Sequence, residues 1–217
     1  MARPADHEQR RRQIAEAVWR LAARHGLESV TLRQVATEAG VSMRLVQYYF
    51  GTRSGLLLSA LELLNADAER TGQERIAALG TDPGPRALLR GLLLELLPLD
   101  EQRRLRHVVY AAYFVRFLTD PDLTGVAAAA PPALEELAAM LIDEGKRRGD
   151  VDPAIDNRAE AELLLAAASG LQGGVLLNQI SPERAVTLID HQLDRVFTDE
   201  DPPQRTPQAA PPSGRDS

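Results

Sequence analysis

Residues 31–50, TLRQVATEAGVSMRLVQYYF, decide the fold of this chain. Thr31 with Gln34 three residues later is a capping-box pattern, in which the hydroxyl takes a backbone N–H and the amide reaches back to the cap. Val35, Ala36 and Ala39 are small and apolar, as needed where one short helix crosses another closely. Gly40 stands where a tight turn requires positive φ, with Val41 plugging the core beneath it. Ser42 is suited to cap a second helix running to Phe50. Val46 and Phe50, four apart, face inward and leave Met43, Arg44, Gln47 and Tyr48 outward. Arginine can pair bidentately with guanine and glutamine with adenine, while a tyrosine hydroxyl suits a phosphate and its ring a thymine methyl. Such a face on a helix cradled by another predicts a helix-turn-helix that reads DNA. A helical hairpin that only packs would show the same local pattern.

Working outward, apolar positions recur at three and four residues and almost nothing alternates with period two, so the chain is predicted to be all-α with about nine helices. The first spans roughly Glu8 to His25, carries Ile14, Val18, Leu21 and Ala22 on one stripe, and stops at Gly26. After the motif, a long helix from Arg53 to Leu79 ends at a break of two prolines and two glycines. Further helices are predicted near 86–97, 101–118, 122–148, 157–179 and 182–197, with Pro131-Pro132 expected to kink or split the third of these. From Asp199 the sequence is rich in Pro, Gln and Ser and reads as disordered. The organisation is therefore a DNA-binding domain over 8–53, a helical body over 54–198 and a tail over 199–217.

The net charge is −6, unpromising for a DNA binder until it is mapped. Residues 1–53 hold nine arginines against five acids, a balance of +4, and the remainder carries −10. A basic head on an acidic body directs the head at phosphates. There is no cysteine, which excludes disulfides and thiolate zinc sites and is consistent with a cytoplasmic protein. No run approaches the roughly 18 uninterrupted apolar residues of a membrane span, so no membrane partner is expected.

At this point a resemblance is specific. The run IAEAVWRLAARHGLESVTLRQVATEAGVSMRLVQYYFGTRSGLLLSAL, Ile14 to Leu61, resembles the DNA-binding domain of TetR-family regulators across its whole length. The shared marks are His-Gly after the first helix, the Thr opening the second, Ala-Gly-Val-Ser at the turn, a Tyr-Phe exit and a basic residue before the fourth helix. The resemblance implies that Thr31, Tyr49, Thr52 and Arg53 clamp phosphates. It implies that Arg33, Met43, Arg44, Gln47 and Tyr48 read the groove beside the Ser42 cap. Gln47 departs from the tyrosine usual in the family, so it can hold a phosphate or read a base. The spacing of Tyr49 from Val46 also allows it to pack inward.

In TetR-like proteins the C-terminal part holds a small-molecule pocket and the dimer interface. The stretch LLPLDEQRRLRHVVYAAYFVRFLTDPDL, residues 96–123, is similar to the body of BetI-like regulators, without transferring a ligand. His107, Tyr110, Tyr113, Phe114 and Phe117 concentrate aromatic and titratable groups on one helix, as an effector pocket or as core. Leu164, Ala167, Leu171 and Val175 line one stripe, with Gly170, Gly173 and Gly174 allowing close approach. Ile189, Leu193 and Val196 line another, and both fit a homodimer's four-helix bundle or burial within one subunit.

The resemblance thus implies a repressor released from a palindromic operator by a small-molecule effector. An enzyme is the rival from another class, but the four histidines have no metal-ligand spacing and there is no phosphate-binding glycine loop or nucleophile elbow. No catalysis, cofactor or metal is expected. The other rival is a helical ligand-binding or scaffold protein that has lost DNA binding, against which the Arg44-Gln47 face argues.

Overall fold

The computed structural model describes residues 4–198, and among them it contains nine α-helices. These are α1 (Pro4–His25), α2 (Leu32–Ala39), α3 (Met43–Phe50), α4 (Arg53–Ala77) and α5 (Pro85–Glu95). They continue with α6 (Glu101–Phe117), α7 (Pro121–Arg148), α8 (Asn157–Leu176) and α9 (Pro182–Val196). A short 3-10 turn, Leu27–Ser29, joins α1 to α2. The tail expected over 199–217 lies outside the described residues.

Of the kink or split expected at Pro131-Pro132, the split is not found, and both prolines lie inside α7. Both are exposed, so carbonyls left without an N–H partner one turn earlier can be hydrated. Helix α7 is long and apolar enough to cross a membrane by length and composition alone. Its second half instead buries Ala138 and Ile142 against α5 and α8.

The helices bury two separate cores. The first joins Ile14, Val18 and Trp19 of α1, Val46 and Phe50 of α3, and Leu56, Leu57, Ala60 and Leu61 of α4. It does not stop at residue 53, because Val109 and Tyr113 of α6 and Leu123 of α7 belong to it. The second joins Leu89 and Leu93 of α5 to Ile142, Leu164, Ile189 and Leu193. Each such side chain contributes roughly 1.5–3 kcal/mol on burial, so α6 is held to the head by the same force that holds the head together.

Between the cores sits a half-buried ionic cluster. Glu95, ending α5, faces Arg75 of α4 at 2.9 Å and Arg103 and Arg106 of α6 at 3.2 and 3.5 Å. Asp100 caps α6 by accepting from the Arg103 backbone at 2.8 Å, and its side chain pairs with Arg75 at 3.1 Å.

Candidate nucleic-acid interface

The turn is built as its residues dictate. Thr31 Oγ1 accepts from the Gln34 backbone at 3.3 Å while Gln34 Oε1 accepts from the Thr31 N–H at 3.1 Å. Gly40 adopts φ +65°, a left-handed conformation where L side chains are strained. Ser42 Oγ then accepts from the Leu45 N–H at 3.2 Å and starts α3. With Val46 and Phe50 buried, Met43, Arg44, Gln47 and Tyr48 are all exposed, Tyr48 to 74%.

Helix α2 is pinned beneath this surface. Gln13 Nε2 donates to the Ala39 carbonyl at 2.7 Å, and Glu38 holds Arg20 and Arg24 of α1 at 2.8 and 2.6 Å. Hydrogen bonds from those two arginines hold the Glu38 carboxyl below its ordinary range. Arg33 and Arg44, by contrast, take part in no side-chain hydrogen bond or ion pair among the described residues and are exposed. A cation left unpaired beside paired neighbours is available to a phosphate or a base edge.

The implied phosphate clamps are placed differently from one another. Thr31 and Thr52 are exposed and serve as N-caps, Thr52 accepting from Gly55 N–H at 3.1 Å. Tyr49 is half-buried against the first core. Arg53 points back into the protein: its Nε donates to the Val30 carbonyl at 2.7 Å and an Nη to the Leu27 carbonyl at 2.8 Å. It braces the turn before α2 with the donors a phosphate would need. The ring of His7 lies 4.5 Å from that of Tyr49, a contact between residues 42 apart that no local sequence pattern signals.

The five aromatic and titratable residues proposed for an effector do not surround one cavity. Tyr113 is sealed in the first core and donates to the Leu57 carbonyl at 2.9 Å. Tyr110 bonds Asn65 of α4, and Phe117 stacks on Tyr113 with centroids 5.9 Å apart. Phe114, four residues after Tyr110 on the same helix, is 60% exposed. His107 is buried, and burial, followed by the charge of Arg106, pushes its imidazole down to about 4. Two clefts lie elsewhere. One of about 310 Å³ between α1, α4 and α6 is lined by Trp19, Asp67, Gln102 and Arg106 among others. One of about 500 Å³ between α7 and α8 is lined by Leu134, Glu135, Glu162, Leu165 and Ser169 among others.

The stripes assigned to a dimer are also placed differently. Leu164, Val175, Ile189, Leu193 and Val196 are buried within the single subunit, with Ala167 and Leu171 half-buried beside them. A side chain at Gly174 would meet Ile180 of the same chain at 2.8 Å, so that glycine serves an internal contact. The opposite face of α8 is open instead: Leu163 and Leu177 are 64% and 69% exposed, and a Cβ at Gly170 or Gly173 would meet nothing.

The family model described as the C-terminal domain of BetI-type transcriptional repressors matches residues 85–198, and the N-terminal model of tetR-family bacterial regulatory proteins matches 14–60. The chain belongs to the TetR family. This TetR-family regulator is 27% identical over 208 residues to the HTH-type transcriptional regulator PksA of Bacillus subtilis, covering 92% of this chain and 96% of PksA. It is 37% identical over 84 residues to the regulator BetI of Agrobacterium fabrum, 39% of each chain. A putative TetR-family regulator from Rhodococcus sp. superposes with a TM-score of 0.76 at 25% identity, over 87% of this chain and 98% of that one. A putative regulator from Saccharomonospora viridis, solved with choline, does so at 0.77 and 24% identity, over 88% and 98%.

Proposed function

We propose that this regulator is a cytoplasmic homodimeric repressor that leaves a palindromic operator when a small-molecule effector binds. One observation carries the reading: α3 presents Met43, Arg44, Gln47 and Tyr48 together on an exposed face, with Arg44 unpaired among the described residues. Arg33 reads beside them, and Thr31, Tyr49 and Thr52 hold the backbone. One such helix spans too few base pairs for useful specificity, so two copies bind an inverted repeat with half-sites about one helical turn apart or somewhat more.

The second copy docks on the open face of α8, where Gly170 and Gly173 let backbones approach. The effector enters the cleft between α7 and α8. Glu135 and Glu162 there, among Leu134 and Leu165, suit a small apolar body that carries a positive charge, the chemistry of the choline held by the S. viridis protein.

Selecting genomic fragments with the full-length protein and sequencing them tests the reading. An enriched inverted repeat with protected half-sites is expected. Recovery of fragments with no shared sequence overturns it.

A further inference from the structure

The first turns of α1 are the part of the head that the recognition helix leaves without a role. The His7 ring stands edge-on to Tyr49, with centroids 4.5 Å apart and planes at 70°. It is 6.5 Å from Tyr48, whose own ring is 5.3 Å from Tyr49. Tyr48 projects from the reading face of α3, so His7 stands at the margin of that surface although a different helix carries it.

One turn further on, Arg11 sets its guanidinium carbon 5.8 Å from the centroid of the Phe50 ring. Helical side chains lean toward their N-terminus, which directs Arg11 back toward His7 and this margin. Neighbouring arginines are occupied: Arg10 bonds Gln13, Arg12 pairs with Asp67, and Arg20 and Arg24 share Glu38. Arg11 enters no ion pair among the described residues, and its Nε is buried with no hydrogen-bond partner. A half-buried guanidinium backed by an aromatic ring and lacking a counter-ion is a seat for an anion. At the edge of a DNA-reading surface, that anion is a backbone phosphate.

We propose that α1 adds a contact of its own to the operator complex: Arg11 holds a backbone phosphate beside the end of α3, and His7 is a positioning residue that fixes the rings of Tyr49 and Tyr48. The proposal rests on the reading of α3 as the recognition helix.

The test uses the full-length protein and a duplex recovered by the fragment selection, with affinity measured across a salt series. Each lost phosphate contact lowers the slope of log affinity against log salt by about one. Arg11→Gln is expected to show that loss with its sequence preference unchanged, and Arg11→Lys to keep the slope because it keeps the charge. His7→Phe preserves the ring packing and with it the discrimination against a base-substituted duplex, which His7→Ala reduces.

Arg44→Ala, measured alongside, separates the two readings. A wild-type slope for Arg11→Gln while Arg44→Ala loses discrimination removes the α1 phosphate contact and leaves the recognition helix standing. Unchanged discrimination in His7→Ala removes the positioning role. If Arg44→Ala is indistinguishable from the wild type, the recognition reading fails and this proposal falls with it.

Discussion

Tyr113 of α6 donates its hydroxyl to the carbonyl of Leu57 on α4 at 2.9 Å, and both side chains are sealed from solvent. Trp19 of α1 does the same to the Ala60 carbonyl, one turn along α4, at 2.9 Å. Two buried donors from two helices thus converge on one stretch of α4, and α6 is anchored to the DNA-binding head rather than hinged on it. A displacement of α6 itself would therefore reach the head without crossing a flexible joint.

Tyr113→Phe removes the hydroxyl and keeps the ring. The loss of one buried hydrogen bond is expected to cost about 1 kcal/mol of unfolding free energy. Because α6 shares the head's core, the head and α6 should lose protection against hydrogen exchange together. Separate opening of the two would contradict a common core.

His107 makes stability depend on pH. Burial, then the charge of Arg106, holds its folded-state pKa at about 4, against 6.5 in the unfolded chain. Between those values the unfolded chain binds a proton that the folded one does not, so stability falls as pH drops through 6.5 toward 4. The loss is about 1 kcal/mol by pH 5.5 and about 3 kcal/mol by pH 4. His107→Gln, neutral throughout, should flatten the part of the curve between pH 7 and 5.5, which urea titrations would show.

The helix-turn-helix was legible in the sequence because its determinants are local. Thr31 with Gln34, Gly40 and Ser42 each act within four residues. What was not legible depends on distant partners. Arg53 is a basic residue at a helix start until the carbonyls of Leu27 and Val30, 26 and 23 residues earlier, are seen to occupy it. The glycines of α8 look alike in sequence, and only the position of Ile180 separates Gly174 from Gly170 and Gly173. Helix α8 has apolar residues on both sides, so the stripe of Leu164 and Val175 could not be assigned to a subunit core or to an interface by periodicity.

Two glycine variants should fail for different reasons. Gly40→Ala meets no atom but must hold φ +65°, at a cost of roughly 1–2 kcal/mol in backbone strain. Gly145→Ala keeps a normal helical backbone but puts its methyl 2.6 Å from Val151 and 2.8 Å from Phe197, where a single bridge closes the end of the body. Overpacking there is expected to cost about 1–3 kcal/mol. Chemical denaturation should place both below the wild type, and a stable Gly145→Ala would mean that Phe197 can move aside freely.

Arg44 and Arg53 should be separable by experiment. Arg44→Ala is expected to leave folding unchanged, to weaken operator binding by about 1–3 kcal/mol and to relax preference at one position per half-site. Arg53→Ala frees two backbone carbonyls, so it should lower thermal stability and weaken all sequences alike. Binding-site selection with each variant distinguishes these patterns. An Arg53→Ala protein of wild-type stability with altered salt dependence would restore Arg53 to the phosphate contacts.

The two faces of α8 give opposite expectations for assembly. Leu193→Ala or Leu164→Ala should cost about 2–5 kcal/mol of stability, since both side chains fill the second core. Neither should change the subunit stoichiometry of the protein that remains folded. Gly173→Arg introduces a long charged side chain at an exposed position where an added Cβ has no atom of the described residues within 4 Å. Arginine also favours a helix interior over glycine by about 0.8 kcal/mol, so folding should not suffer. If the open face carries the second copy, Gly173→Arg should sediment as a folded monomer and bind the operator far more weakly, because each head then binds its half-site alone. A dimer that persists in Gly173→Arg with wild-type affinity would place the two-fold axis on another face of the body.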